Sequence, residues 1–341
     1  MKGKQNTSGG DMYLCRRELA AITLVGSILP FGAMGSDTEA TYPQRPITLV
    51  IGFTPGGTTD SLARLLAKHM SNDLGYKIIV DNRPGAGSNI GAEAVARAVP
   101  DGYTLYFSSR PNTIHKTMYG NLKYDFARDL TPIGMVATVP TIAVTGKDSP
   151  IQSIQDIVGL AKAYPGGVAC ASPGIGSTSH LLCELFQQEA RIDMMHVPYR
   201  GDLPALADVM EGRVDMQFVT LPSVLSHLKA GSLRGIAIMS RLPMPSVRHI
   251  PTIEELGFPD LALDAWFGLM APTGTPEHVV RRLNQSLNLV LSDPELQSSM
   301  MQLSYMPPLQ PNTPDEFAEL ISGETERWTA ILRERNIKPL H

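Results

Sequence analysis

The sequence predicts an α/β protein of two lobes, and three observations predict it. Apolar, β-rich runs alternate with amphipathic helical stretches from residue 47 to residue 108, the pattern of strands joined by helical crossovers. A second, complete alternating block occupies residues 153–239. The elements after residue 261 are too few for a third sheet, so they most economically complete the first lobe. Two strands then cross between the lobes, near Pro140 and near Asp264. The expected division is residues 41–141 plus 262–341 for lobe 1 and residues 142–261 for lobe 2.

In order, a proline-punctuated lead-in (Tyr42, Pro43, Pro46) reaches strand one over residues 47–53. It stops in Pro55-Gly56-Gly57, and a helix follows from Thr59. Residues 77–81 are a second strand, and Ser88 or Asn89 caps a helix that ends near residue 99. Asp101-Gly102 turns the chain into a third strand, 103–108. This βαβαβ order predicts a parallel sheet covered on both faces. Residues 130–145, rich in Ile, Val and Thr and broken by Pro132 and Pro140, read as two short extended segments. The second block runs helix 153–163, strand 167–171, helix 178–188 and strand 193–197. It continues as helix 203–210, strand 214–220, helix 223–230 and strand 233–239. After the proline-rich residues 243–259, an apolar strand over 261–271 precedes helices at 276–291, 294–301 and 314–335.

The bulk properties narrow the function classes. With 341 residues, there is room for two well-packed cores. Hydrophobic residues make up 43%, charged residues 18%, and mean hydropathy is −0.03, which excludes a disordered chain. A net charge of −4, with no Lys/Arg run, removes the electrostatic case for nucleic acid. Residues 1–40 differ in kind. Lys2, Lys4, Arg16 and Arg17 precede an apolar run, Pro30 interrupts it, and small residues follow. That is the layout of an export signal cleaved near residues 35–40; the run is too short for a membrane anchor. Met12 is an alternative start. Cys15 leaves with the signal. Cys170 and Cys183 read as two buried thiols, with a disulfide as the alternative in an exported protein.

The turn after strand one is the first chemical signal. Thr58, Thr59, Asp60 and Ser61 follow the glycines and open a helix, so free backbone N–H groups and the positive end of a helix dipole line a shallow cup. Its natural guest is an anion. The bland reading is a tight βα connection. Residues 171–180 repeat the layout in the second block, with Ser172, Pro173, Gly174, Gly176, Ser177, Thr178 and His180. At the carboxyl ends of sheet strands, the two turns face each other across a cleft. Neither fits a nucleotide motif or a nucleophile elbow. Ser177 and His180, three apart on a helix, read as capping and packing rather than nucleophile and base. Cys170, His180, Cys183, Glu184 and His196 match no established metal-ligand spacing, so no metal and no cofactor is expected. Tyr199 and Arg200 lie on the cleft rim, and Ser108 and Arg110 stand at the same level beyond strand three. Either arginine is a contact for a dianion or a solvated surface group. Trp266 and Phe267 read as core rather than a stacking platform.

Six stretches together carry a family resemblance: PITLVIGFTPGGTTDSLARLLA, VDNRPGAGSNIGAEAVARAVPDGYTLYF, ASPGIGSTSHLLCELF, HVPYRGDLPALADVMEGRVDMQF, WFGLMAPTGTP and ERWTAILRERNIKP. In this order, over residues 45–339, the chain resembles the exported solute receptors of tripartite tricarboxylate transporters, the TctC or Bug receptors. The resemblance implies a type II periplasmic binding protein fold, two Rossmann-like lobes closing on a small carboxylate. It also implies one large and one small integral membrane permease subunit as partners. By matching position, the ligand set is Phe53, Thr54, Pro55, Gly56, Gly57, Thr58, Thr59 and Asp60 from lobe 1. From lobe 2 it is Ser172, Pro173, Gly174, Gly176, Ser177, Thr178 and His180, with Tyr199 and Arg200 behind. Arg110, Asp202 and Cys170 depart from the family's usual small residues, and Arg110 and Asp202 alter ligand choice if they face the cleft. The expected protein is a periplasmic monomer that hands a di- or tricarboxylate, acidic amino acid or aromatic acid to a permease. The rivals are an exported ligand-sensing module and an exported α/β hydrolase using the same cleft.

Overall fold

The computed structural model describes residues 42–119, 121–308 and 312–334, so the expected export signal lies outside the described residues. The first block gives β1 (Ile47–Ile51), α1 (Thr58–Leu74), β2 (Ile78–Asn82), α2 (Asn89–Ala96) and β3 (Thr104–Ser109). Then come α3 (Pro111–Met118), α4 (Phe126–Asp129) and β4 (Leu130–Val139). Pro140 alone separates β4 from β5 (Thr141–Gly146), which opens the second block. That block continues with α5 (Ile154–Ala163), β6 (Ala169–Ser172), α6 (Thr178–Ala190), β7 (Met195–Pro198), α7 (Asp202–Met210), β8 (Met216–Thr220), α8 (Leu221–Lys229) and β9 (Leu233–Ile238). The return to the first block is β10 (Ala265–Pro272), followed by α9 (Glu277–Leu291), α10 (Pro294–Gln302) and α11 (Pro314–Glu334).

Two five-stranded sheets result, ordered β2-β1-β3-β10-β4 and β7-β6-β8-β5-β9, each flanked by helices: a two-lobed α/β fold. The expected parallel sheet needs correction, because both sheets are mixed. β2-β1-β3 and β7-β6-β8 are parallel, as helical crossovers within a lobe require. β10 and β5 run antiparallel to both neighbours. These are the strands that arrive from the other lobe, so no crossover fixes their direction. Helices α3 and α4 were not foreseen; Pro111 begins α3 at the helical position where its missing N–H costs nothing.

Period two on each strand sorts the cores. Ile47, Leu49 and Ile51 of β1 pack with Leu62, Leu66 and Met70 of α1 and Leu283 and Leu287 of α9. Val50 faces the opposite layer, with Tyr106, Trp266 and Phe317. Each such side chain contributes ~1.5–3 kcal/mol on full burial. Helix α11 leans on both lobes: Phe317 and Ile321 join the Val50 layer, whereas Trp328 and Leu332 join Phe186, Leu261 and Ile114.

The expectation of two thiols is also corrected. Cys170 on β6 and Cys183 on α6 form a disulfide, with Cα atoms 6.3 Å apart, because α6 packs directly over the strand it follows. Both sulfurs are thereby consumed, which removes them from any metal-binding reading.

Candidate ligand-binding site

The lobe 1 turn is built by one carboxylate. Asp60 accepts hydrogen bonds from the Gly56 N–H, Arg64 Nε and Asn82 Nδ2, each at 3.0 Å. Asn82 also donates to the Phe53 carbonyl at 3.0 Å, so both ends of the turn are tied to one side-chain cluster. Burial by itself raises the Asp60 carboxyl, but the bonds from Arg64, Gly56 and Asn82 outweigh it and hold the group below the usual carboxylate range. Gly56 has φ of 87°, a conformation that favours glycine. Gly57 caps α1 without a side-chain bond, and the helix's hydrogen bonds begin only at the Ser61 N–H. The amides of Thr58, Thr59 and Asp60 therefore lack intrahelical partners.

The lobe 2 turn reaches a similar shape with neutral groups. Ser177 caps α6, its Oγ accepting from the His180 N–H at 3.3 Å. The Gly176 N–H donates to His180 Nδ1 at 3.1 Å, and the Gly174 N–H donates to Ser172 Oγ at 3.2 Å. Ser172 Oγ also meets His196 Nε2 at 2.7 Å, and the rings of His180 and His196 lie 4.2 Å apart. Burial, with His196 adjacent, pushes His180 down to about 3; burial pushes His196 down to about 4. Both rings are neutral at pH 7. Ser177 Oγ receives the His180 amide and the His180 ring receives the Gly176 amide, which are capping and packing contacts.

The lobes meet at these turns. Thr58 Oγ1 lies 2.6 Å from Thr220 Oγ1 and also contacts Ser223 Oγ, while the Tyr119 hydroxyl donates to the Ile175 carbonyl at 2.7 Å. Beside this contact is a small chamber of about 50 Å³, lined in part by Thr58 and Thr220 themselves. Of the residues named from sequence, Phe53, Thr58, Thr59, Pro173, Ser177 and Thr178 line it. An outer cleft of about 910 Å³ is lined by Phe53, Thr54, Pro173, Gly174, Tyr199 and Arg200 among others.

The remaining residues of that set line neither space. Pro55 and Gly56 are exposed on the first turn and Gly57 is half-buried, whereas Ser172 and Gly176 are buried in the second. Four other side chains of that set are engaged by partners within the protein. Asp60 braces its own turn, and His180 turns back to Gly176. Ser108 donates to the Gly268 carbonyl at 3.0 Å. Arg110 is buried against Glu324 of α11 (Nε to Oε2, 2.9 Å), because a buried cation needs a paired anion. Residues not foreseen in the chamber are Ser109, Pro111, Ser179, Thr220 and Ala265. Phe267, read as core, is buried yet lines it, and Asp202 faces it. The signal for Ser109 and Thr220 was available: each is a strand-end hydroxyl just ahead of a proline-initiated helix.

Two α/β lobes with helix N-termini converging on a hydroxyl-lined chamber define a solute-binding protein. The comparisons give the family. The model of TctC, the tripartite tricarboxylate transporter family receptor, matches residues 62–337, and this chain belongs to that family. It is 35% identical over 320 residues to protein BugT of Bordetella pertussis, covering 93% of this chain and 98% of BugT. The solved structure of the periplasmic binding protein BugD superposes with a TM-score of 0.84 at 30% identity, covering 88% of this chain and all of that one. R. palustris Rpa4515 with adipate superposes with a TM-score of 0.83 at 34% identity and covers the same shares. The chain is a periplasmic solute-binding receptor of the TctC/Bug family.

Proposed function

We propose that this receptor binds a small carboxylate between its lobes and delivers it to the membrane permease of a tripartite tricarboxylate-type transporter. The observation that carries the proposal is the chamber itself: first-turn amides of α1 and α6, one helix from each lobe, open beside Thr58, Thr59, Ser177 and Thr178. Each helix terminus supplies ~0.3–1 kcal/mol towards an anion, and each charge-assisted hydrogen bond roughly 1.5–3 kcal/mol before ordering costs. Three or four such bonds support micromolar affinity, about −8 kcal/mol, without an arginine clamp. The adipate held by the related R. palustris protein supports a dicarboxylate.

At about 50 Å³ the chamber has space for roughly three or four waters, so a ligand enters by opening of the lobes. The crossing strands at Pro140 and near Asp264 supply the hinge, dividing lobe 1 (41–141 plus 262–341) from lobe 2 (142–261). Residues 1–40 serve as the export signal, which intact mass of the secreted protein checks. The function is tested by calorimetry against mono-, di- and tricarboxylates and amino acids, followed by uptake in a receptor-deletion strain. Micromolar binding of at least one acid, and loss of its uptake, are expected. Absence of heat across the panel overturns the proposal.

A further inference from the structure

Among the described residues, only one ionisable side chain lines the small chamber, and it has the wrong sign for a carboxylate. Asp202, the first residue of α7, faces the space together with Ser109 and Thr220. Its Oδ1 accepts from Gln217 Nε2 at 3.1 Å. Gln217 is fully buried, and its own Oε1 has no hydrogen-bond partner. Ser109 is only 4% exposed, and its hydroxyl also lacks a partner. Among the described residues, neither Lys, Arg nor His lines the chamber, so none of their cations balances Asp202 there. Burial pushes the Asp202 carboxyl up to about 6, against the bond from Gln217. The group is thus mostly ionised at neutral pH and short of donors.

A plain dicarboxylate placed here brings a further negative charge towards an uncompensated one. A ligand with a cationic donor at that end removes the conflict and satisfies the free hydroxyl. We propose that Asp202 is the specificity-determining residue of the chamber and selects a carboxylate that also carries a primary ammonium. In this arrangement the carboxylate sits on the first turns of α1 and α6, and the ammonium lies between Asp202, Ser109 and Thr220. The inference rests on the carboxylate-receptor reading above and names its ligand class.

Three matched pairs of probes differ only in the amino group: succinate and aspartate, glutarate and glutamate, adipate and 2-aminoadipate. Calorimetry at pH 7.5 on the wild-type protein is expected to show the amino member of at least one pair binding about tenfold or more tighter than its partner. Asp202→Ser is expected to erase that ratio or reverse it, with the plain diacid bound as well as before or better. Asp202→Asn, which keeps the shape at the start of α7, is expected to behave in the same way, and thermal melts establish that both variants fold. Binding with an amino-to-plain ratio near one in wild type, or a ratio unchanged by either substitution, overturns this inference alone. Silence from all six acids overturns this inference, and only silence across the wider panel of mono- and tricarboxylates and amino acids overturns the receptor reading as well.

Discussion

The two strand–turn–helix units that face each other across the cleft have the same outline and opposite supports. In lobe 1 the turn between β1 and α1 is held by a charged cluster, with Asp60 gathering Gly56, Arg64 and Asn82. In lobe 2 the turn between β6 and α6 is held by neutral imidazoles and hydroxyls, and a disulfide closes its base from Cys170 to Cys183. A shared cup for an anion therefore does not require shared bracing. What the ligand meets is similar on both sides: first-turn amides and hydroxyls. What keeps those groups in place depends on ion pairing in one lobe and covalency in the other, so the two supports fail under different conditions.

The largest expected effect comes from opening the covalent support. The disulfide spans 13 residues, and a loop of about that length stabilises by roughly 3 kcal/mol in the chain-entropy account. The Cys170→Ser, Cys183→Ser double variant should lose about that much in denaturant unfolding. Wild type titrated with reductant should approach the same midpoint, and a midpoint indifferent to reductant would show that the bond adds nothing. Next comes Asp60→Asn. It takes the anion from a site where Arg64, Asn82 and Gly56 all donate, and hydrogen bonds to a charged group contribute ~1.5–3 kcal/mol. A loss of about 2 kcal/mol is expected, together with weaker carboxylate binding, since the α1 amides lose their register. Stability and calorimetric affinity that both match wild type would break the claim that lobe 1 is charge-braced.

The pH dependence separates the two turns. His180 titrates in the fold near 3 and His196 near 4, against an ordinary 6.5, so the unfolded chain takes up protons first as the medium acidifies. The stability tied to each neutral ring is complete above 6.5 and declines as pH falls towards the folded value, by about 1.4 kcal/mol per unit while that ring alone differs. Asp60 behaves differently: its folded value lies below the ordinary 3.8, so its contribution is lost only in stronger acid. His115, fully buried on α3 and pushed down to about 3, shares the histidine window and is common background. The test is the difference between wild type and His180→Gln in chemical denaturation from pH 7 to 5. The variant's profile should be flatter by about 2 kcal/mol in total between pH 7 and pH 5, approaching about 1.4 kcal/mol per unit at the acid end, and parallel profiles would refute the assignment.

Much of this organisation was legible in the sequence, for physical reasons that also explain the rest. Period-two strands and glycine turns followed by Thr or Ser announce strand–turn–helix units wherever they occur, so β1 with α1 and β6 with α6 stood out. The directions of β5 and β10 were hidden because they depend on which lobe the chain arrives from. Residues such as Thr58, Thr59, Ser177 and Thr178 follow directly from the turn, and they line the chamber. Asp60, His180 and Arg110 illustrate the limit. A sequence gives the type of a polar side chain but not its partner, and the partners here are Gly56, Gly176 and, far down the chain, Glu324. Asp202 was visible as a departure from family habit, yet only the fold shows that it faces the chamber with no cation among the described residues lining it.

The smallest expected effect isolates the helix caps. Helix α6 begins at Ser177, whose Oγ takes the His180 amide, whereas α1 begins at Gly57 with no side-chain cap. Ser177→Ala removes an acceptor that an amide in the first turn needs, and such losses run to about 1 kcal/mol. It also removes one hydroxyl from the chamber wall, so affinity and stability should fall together. Ser177→Gly separates the two roles, because glycine at a cap costs only a few tenths of a kcal/mol while the hydroxyl is still lost. If Ser177→Gly binds as weakly as Ser177→Ala but melts near wild type, the hydroxyl touches the ligand. If both variants bind as wild type does, Ser177 is a cap alone, and the anion is held in lobe 2 by the amides of α6 and by Thr178.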